Sequence, residues 1–162
     1  MEILKLAQTM ELEGKAYYER LAAETDVEAL KGVFTFLAGQ EQNHYDLFKA
    51  IEEGVEPARI DDDIALGNKV KEFFGALDAS FSMPEVVYDY QAAYGKALQM
   101  EKESVKMYSD LAEGVAEGGK KAVEFIIAQE ESHVRLLESL LEFVSNPTTW
   151  LENAEWRHPD AY

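Results

Sequence analysis

Two copies of the pattern Glu-x-x-His are the part of this chain with the clearest potential for chemistry. The first copy pairs Glu41 with His44, and the second pairs Glu130 with His133. Because residues three positions apart lie on one face of a helix, each carboxylate and its imidazole can reach a shared centre. Carboxylate oxygens and imidazole nitrogens are ligands for divalent metal ions, so the two copies predict a metal site.

Each copy follows an earlier helical segment that carries a Glu and, seven residues later, a Tyr. These pairs are Glu11 with Tyr18 and Glu101 with Tyr108. The whole pattern supplies four carboxylates and two imidazoles, enough to hold two metal ions between four helices. The two Tyr hydroxyls predict either hydrogen bonds that orient ligating carboxylates or ordinary core packing, and the sequence leaves both interpretations open.

The spacing of apolar residues predicts four long helices and no strand, the pattern of an all-α protein. Ser82 and Glu85 form a capping box, which sets the predicted start of the third helix near Met83. The expected helices cover residues 2–24, a range from the caps Thr25 and Asp26 to residue 53, residues 83–113, and a range from a break at Gly118-Gly119 to residue 144.

Residues 55–82 form a long connection, with a short amphipathic segment expected near residues 64–77. Connections of this length are uncommon in compact domains. A four-helix bundle with one long crossover accounts for it, because the second and third helices then run in the same direction. We predict such a bundle over residues 1–146 and a tail with a short helix over residues 147–162, where His158 is expected to be no ligand.

An internal repeat divides the chain into two halves. Residues 7–22 match residues 97–112 at an offset of 90, and residues 34–53 match residues 123–142 at an offset of 89. The repeated Glu, Tyr and His residues fall at equivalent positions in both halves. The repeat therefore predicts two helical hairpins that carry the same polar residues at the same depth.

The four glutamates of the pattern lie on apolar helix stripes that must face the core. An unpaired buried carboxylate is strongly unfavourable, and no Lys or Arg lies on these stripes. Two divalent cations would balance the charge, and one imidazole per ion among carboxylates favours iron or manganese, with other divalent metals left open. The expected ligands are Glu41 and Glu130 as bridges, Glu11 with His44 on one ion, and Glu101 with His133 on the other.

The composition narrows the possible functions further. The 162 residues carry 32 acidic and 15 basic side chains, a net charge of −17, which argues against nucleic acid as a partner. The absence of Cys excludes disulfides, iron–sulfur clusters and thiol catalysis, and it is compatible with the cytoplasm. We see neither a secretory signal nor a membrane-spanning stretch, so a cytoplasmic protein without a membrane partner is expected.

Together these residues resemble the ferritin-like di-iron superfamily, most closely its rubrerythrin branch without the rubredoxin domain. The resemblance covers nearly the whole chain and rests on the two Glu-x-x-His motifs and the two Glu–Tyr pairs. It implies a four-helix bundle with two iron ions between the helices, and reaction with hydrogen peroxide or dioxygen. It also implies a homodimer, and whether the subunits exchange helices is left open.

The sequence departs from the rubrerythrin pattern in two places. Rubrerythrins usually carry a rubredoxin domain with iron held by four Cys, and since this chain has no Cys we expect a separate electron-donor protein. They also carry an additional Glu one turn after the ligand of the third helix, where this chain has Ser104, mirrored by Gly14 in the first helix. The symmetric six-ligand set is closer to the ferroxidase centres of ferritin and bacterioferritin.

Three functions are compatible with these observations. The leading hypothesis is reduction of hydrogen peroxide or dioxygen at a carboxylate-bridged di-iron centre, in defence against oxidative stress. The second is a ferroxidase or other iron-handling role. The third is a structural or interaction bundle in which bound metal mainly stabilises the fold.

Overall fold

The computed structural model describes residues 2–56, 66–78, 80–85, 88–153 and 162. In these residues it contains helices and no strand, which confirms the predicted all-α, ferritin-like helical bundle. The helices are α1 (Glu2–Glu24), α2 (Glu28–Glu53), α3 (Leu66–Phe74), α4 (Tyr90–Gly114), α5 (Glu117–Ser145) and α6 (Pro147–Glu152).

The four long helices form two hairpins, because α1 packs mainly on α2 and α4 packs mainly on α5. Side-chain contacts fix their directions: position 8 of α1 lies opposite position 52 of α2, and position 15 lies opposite position 42. Positions 11 and 18 of α1 lie opposite positions 108 and 101 of α4. Both pairs are therefore antiparallel, so α2 and α4 run in the same direction, as the long crossover requires.

A layer of buried polar residues lies between two apolar clusters. In each long helix the polar residues lie, along the sequence, between residues of one cluster and residues of the other. We call this set the polar layer: Glu11, Glu41, His44, Glu101, Glu130 and His133. The first apolar cluster includes Leu21, Phe34, Tyr94 and Phe143, and the second includes Ala7, Phe48, Tyr108 and Ile126.

The predicted start of the third helix near Met83 is wrong. Helix α4 begins at Tyr90, where the Asp89 carboxylate accepts a hydrogen bond from the Ala92 N–H at 2.9 Å and caps the helix. The segment of the expected capping box instead covers the core: Phe81 stacks on Phe143 with ring centroids 5.7 Å apart, and Met83 packs against the first apolar cluster. Burial of these side chains outweighs the local preference for a helix start.

The glycine break was also placed wrongly. Helix α5 begins at Glu117, so Gly118 and Gly119 belong to its first turn. The chain turns instead at Val115 and Ala116, just before this helix. Gly119 permits a close approach between α5 and α2, since a Cβ there would lie 3.1 Å from Ile51 Cγ2. By contrast, α2 ends as expected at Gly54, whose φ of 67° favours glycine.

The remaining expectations concern the crossover and the tail. Helix α3 lies within the predicted amphipathic segment, and α6 packs Trp150 against Phe74 and Phe143, as expected of a short tail helix. The acidic run at residues 61–63, and the tail residues Trp156 and His158, lie outside the described residues. Among the described helices, none combines the length and the apolar character needed to cross a membrane.

Candidate metal centre

The structure brings all six sequence-predicted ligand residues together in the polar layer. Helix α1 supplies Glu11, α4 supplies Glu101, and α2 and α5 each supply a Glu and a His; every one of the six is at most 4% exposed. Potential ligand atoms within 4.8 Å of one another define two groups that share two glutamates. These groups are Glu11, Glu41, His44 and Glu130, and Glu41, Glu101, Glu130 and His133.

The carboxylates lie around the two imidazole Nδ1 atoms. His44 Nδ1 lies 3.3 Å from Glu11 Oε2 and 3.2 Å from Glu130 Oε1. His133 Nδ1 lies 3.1 Å from Glu130 Oε2 and 3.3 Å from Glu101 Oε1. Glu130 thus turns one oxygen toward each imidazole, which is the arrangement that a bridging carboxylate needs.

Several carboxylate and imidazole atoms of the polar layer are buried and have no hydrogen-bond partner in the part of the chain that the structure describes. They include Oε2 of Glu11, Oε1 of Glu41, Nδ1 of His44 and both carboxylate oxygens of Glu130. Leaving a buried polar atom unsatisfied costs about 1–3 kcal/mol, and more when the group is charged. Divalent cations among these atoms would satisfy them together, so the donor set fits two metal ions and supports a metal-binding site.

The acids of the layer compete for protons when no metal is bound. Burial raises the pKa of Glu41 well above its usual range, and the charges of Glu130 and Glu101 raise it further. Burial and the Glu101 charge likewise raise the pKa of Glu130 to about 8. Burial also tends to raise the pKa of Glu101, but the charge and the hydrogen bond of His133 outweigh burial and hold the pKa of Glu101 at about 2. Burial and the neighbouring acids therefore favour the protonated form of Glu130, whereas the contacts with His133 favour the ionised form of Glu101.

The two imidazoles also hold protons tightly. Burial lowers the pKa of His44, but the carboxylates of Glu130 and Glu11 outweigh it and raise that pKa well above its ordinary value. The pKa of His133 is raised in the same way, against burial, by Glu101. Metal ions must displace these protons, so metal binding to the layer should release protons and strengthen as the pH rises.

The two Tyr hydroxyls reach across the bundle to carboxylates of the opposite hairpin. Tyr18 of α1 donates a hydrogen bond to Glu101 of α4, and Tyr108 of α4 donates to Glu11 of α1 at 2.5 Å. Both phenols are buried, which excludes competition from water. The Tyr of each half of the internal repeat thus positions a Glu carboxylate of the other half.

Two glutamines that we did not predict contact the outer nitrogens of the imidazoles. Gln129 Oε1 lies 2.6 Å from His44 Nε2, and Gln40 Oε1 lies 2.7 Å from His133 Nε2. An amide oxygen at this position accepts a hydrogen bond from Nε2–H, so Nδ1, which faces the carboxylates, is the nitrogen that would bind a metal ion once its proton is displaced. The sequence held a signal for both, since each glutamine directly precedes the glutamate of a Glu-x-x-His copy.

A comparison with known protein families agrees with this site. The model of the family described as Rubrerythrin matches residues 2–141. The chain belongs to the rubrerythrin family. This is a ferritin-like di-iron family, and the match includes all six residues of the polar layer. Searches of the curated proteins and of the solved structures gave no significant match.

In this member of the rubrerythrin family, the position one turn after Glu11 carries no side chain. A Cβ on Gly14 would lie 2.7 Å from Glu41 Oε2, so the glycine leaves room for that carboxylate. The equivalent residue of α4, Ser104, is half-buried and lines a cavity of about 20 Å³ together with Gly14, Glu41 and Glu101. The two small residues leave the polar layer with its six Glu and His side chains in a symmetric arrangement.

Proposed function

We propose that the polar layer binds two iron ions and that the protein reduces hydrogen peroxide or dioxygen there. The observation that carries this proposal is the set of buried carboxylate and imidazole atoms without partners around two shared glutamates. Family membership supports iron as the metal and oxidants of this class as substrates. The proposed ligands are Glu11 and His44 for one ion, Glu101 and His133 for the other, and Glu41 and Glu130 for both.

The reduction of hydrogen peroxide to two water molecules consumes two electrons and two protons. Iron held by the six residues of the polar layer would supply those electrons, one from each ferrous ion. The chain contributes the geometry: Glu130 faces both imidazoles and thereby holds the two positions close together. Tyr18 and Tyr108 fix the orientation of the terminal carboxylates, and the two apolar clusters keep bulk water away.

The proposed reaction also sets requirements for partners. Each turnover needs two electrons, and a chain without Cys holds no iron–sulfur or rubredoxin centre of its own, so we propose a separate electron-donor protein. Homodimer formation and a cytoplasmic location are likewise proposals, which rest on the resemblance and on the absence of Cys. Size-exclusion chromatography with light scattering tests the first of these.

Oxidation of the bound iron tests the proposed function. Anaerobic protein loaded with two equivalents of Fe²⁺ is mixed with hydrogen peroxide or with dioxygen in a stopped-flow instrument, and ferric absorption is followed. We expect oxidation faster than that of free Fe²⁺ under the same conditions. Glu130→Ala should abolish the acceleration, whereas Glu131→Ala, which changes an exposed neighbour, should retain it. Oxidation no faster than free iron would remove the proposal.

A ferroxidase or iron-handling role is the second candidate, and the symmetry of the layer favours it. Ser104 stands where an additional carboxylate would make the two metal positions unequal, and Gly14 stands at the matching position of α1. Release of Fe³⁺ distinguishes the roles: an iron-handling protein passes ferric iron to a chelator after each oxidation. A peroxide-reducing protein keeps its iron and consumes peroxide over many turnovers when a reductant is supplied.

A further inference from the structure

A small cavity lies between α1 and α4 beside the polar layer, and we call it the side cavity. Its volume is about 20 Å³. The residues that line it include the half-buried Met10, Met100 and Ser104 and the buried Gly14, Glu41 and Glu101. Because some of these residues are partly exposed and others belong to the polar layer, the side cavity lies between the outside of the bundle and two of the buried carboxylates.

The polar layer comes nearest to solvent at the side cavity. Glu41 is 4% exposed and Glu101 is 3% exposed, whereas the other four members of the layer are at most 1% exposed. The two apolar clusters cover the layer on both sides along the helices, and Gln40 and Gln129 contact the outer nitrogens of the imidazoles. Since Glu41 and Glu101 both line the side cavity, it offers the most direct approach to the layer in the described part of the chain.

Both halves of the internal repeat contribute to the wall of the side cavity. At the offset of 90, Met10 is the counterpart of Met100, and Gly14 is the counterpart of Ser104. Each half therefore supplies one Met and one small residue. The Met side chain is unbranched and has three rotatable bonds, so it adapts its shape easily. Two half-buried thioethers at the outer side can move aside for a small molecule and close the cavity again behind it.

The volume and the chemistry of the side cavity favour small uncharged molecules. A cavity needs roughly 10–15 Å³ to hold one water molecule, so about 20 Å³ accepts little more than that. Hydrogen peroxide and dioxygen are only slightly larger than water, whereas an organic hydroperoxide adds a carbon group that the wall would have to yield to. Among the described residues, no Lys, Arg or His lines the cavity, so nothing in its wall attracts an anion.

We propose that the side cavity is the entrance through which the oxidant reaches the polar layer, and that Met10, Met100 and Ser104 limit its size. This proposal rests on the proposed function, because metal in the layer gives the oxidant its destination. It narrows the substrates to hydrogen peroxide and dioxygen and excludes organic hydroperoxides. The cavity borders Glu101 rather than its counterpart Glu11, so the oxidant arrives beside the group that contains His133.

Binding of nitric oxide tests the entrance without any turnover. Nitric oxide is uncharged, has about the size of dioxygen and binds ferrous iron, so its association with anaerobic Fe²⁺-loaded protein is followed by stopped-flow absorption and electron paramagnetic resonance. Ser104→Leu adds a branched side chain to the wall and should slow this association at least tenfold. Ser104→Ala removes the same hydroxyl, which hydrogen-bonds Tyr108, without adding volume; it is the matched control and should keep the wild-type rate. An unchanged rate in Ser104→Leu, or an equal loss in Ser104→Ala, would overturn the proposal.

A wider entrance should admit a larger ligand. Imidazole is uncharged in mildly alkaline solution, and its ring exceeds the volume of the side cavity, so we expect slow binding to Co²⁺ in the loaded wild-type protein. Met100→Ala should accelerate this binding, followed by the visible absorption of Co²⁺, at least tenfold. The matched control is Met107→Ala, which shortens a half-buried Met of the same helix outside the cavity and should leave the rate unchanged. Equal acceleration by both variants, or none by Met100→Ala, contradicts the proposed size limit.

Oxidation by peroxides of different size measures the selectivity itself. Relative to free Fe²⁺ with the same two oxidants, Fe²⁺-loaded wild-type protein should react at least a hundredfold faster with hydrogen peroxide than with cumene hydroperoxide. Met100→Ala should reduce this ratio at least tenfold by accelerating the reaction with cumene hydroperoxide, whereas Met107→Ala should retain the ratio. A wild-type protein that reacts equally well with both oxidants has no size limit, and the proposal is then wrong.

These measurements separate the entrance from the proposed function. If hydrogen peroxide fails to oxidise the bound iron, the proposed function fails, and the rates with nitric oxide and imidazole still decide whether small molecules enter through the side cavity. If hydrogen peroxide oxidises the iron but Ser104→Leu and Met100→Ala behave like the wild type, the entrance alone is refuted. Thermal unfolding and metal content, compared with those of Met107→Ala, show whether a change in rate comes from a loss of the fold.

Discussion

Replacing Gln129 with Met should weaken metal binding because it removes the hydrogen-bond acceptor of His44. The two side chains have similar length and volume, so the packing around the polar layer should be retained. His44 is fully buried, and its Nε2 lies 2.6 Å from Gln129 Oε1. With Met at this position, a metal ion on Nδ1 would leave Nε2–H without an acceptor.

The expected size of the effect follows from the state in which the hydrogen bond matters. Without metal, His44 can carry a proton on Nδ1 and donate it to the neighbouring carboxylates, since Nδ1 lies 3.2 Å from Glu130 and 3.3 Å from Glu11. The imidazole then does not depend on Gln129 alone as an acceptor. With metal on Nδ1 that freedom is lost, and an unsatisfied buried N–H costs about 1–3 kcal/mol. Loss of such a supporting hydrogen bond typically lowers metal affinity about 10–100-fold, or by about 1.4–2.7 kcal/mol.

Competition titration with a chromophoric chelator measures this effect directly, with Zn²⁺ or Mn²⁺ as the metal. The matched control is Gln42→Met, which lies one residue after Glu41 and bonds Lys15 and Asp46 instead of an imidazole. Gln42→Met should leave the affinity unchanged. Gln129→Glu keeps an acceptor for Nε2–H and should restore most of the affinity that Gln129→Met loses.

Two results would refute the reasoning. Wild-type affinity in Gln129→Met would show that Gln129 does not determine which nitrogen of His44 carries the proton. An equal loss in Gln42→Met would show that the effect comes from the helix as a whole. Gln40→Met should reproduce the loss at His133, because the two contacts are equivalent in the internal repeat.

Three further predictions concern the metal and the protons of the polar layer. Metal at 100 times its dissociation constant should raise the free energy of unfolding by about 2.7 kcal/mol per site and the melting temperature by about 10–20 °C. A melting curve that chelation leaves unchanged would contradict this. Gly14→Ala should lower metal affinity about tenfold, measured by chelator titration, because the Cβ displaces Glu41. The free energy of unfolding of the metal-free protein, measured by calorimetry, should rise by up to about 1 kcal/mol, because Ala has the higher helix propensity. Metal-free protein should lose stability as the pH rises from 4.5 to 8, because folded Glu130, with a pKa of about 8, holds a proton that the unfolded chain releases near pH 4.5. His44, whose pKa is also raised, adds to this trend above pH 6.5, so the metal-induced rise in melting temperature should grow with pH.

The sequence alone determined the four long helices and the members of the polar layer. The spacing of Glu41 and His44, and its repetition in the second half, places these residues on one helix face whatever the neighbouring helices do. Apolar residues before and after each of these residues require that this face be buried. Helical periodicity and the internal repeat were therefore sufficient to predict the bundle and the residues that meet in the polar layer; their role as metal ligands stays a prediction.

Only the tertiary structure decided which side chains meet across the bundle. The bonds from Tyr18 to Glu101 and from Gln129 to His44 join different hairpins, so they depend on the depth at which antiparallel helices pack. The start of α4 at Tyr90 followed in the same way from burial of Phe81 against α5, which local capping preferences do not register. Periodicity along one helix specifies the face that a residue occupies, whereas a contact between helices depends on their relative translation and rotation, which packing of the whole core determines.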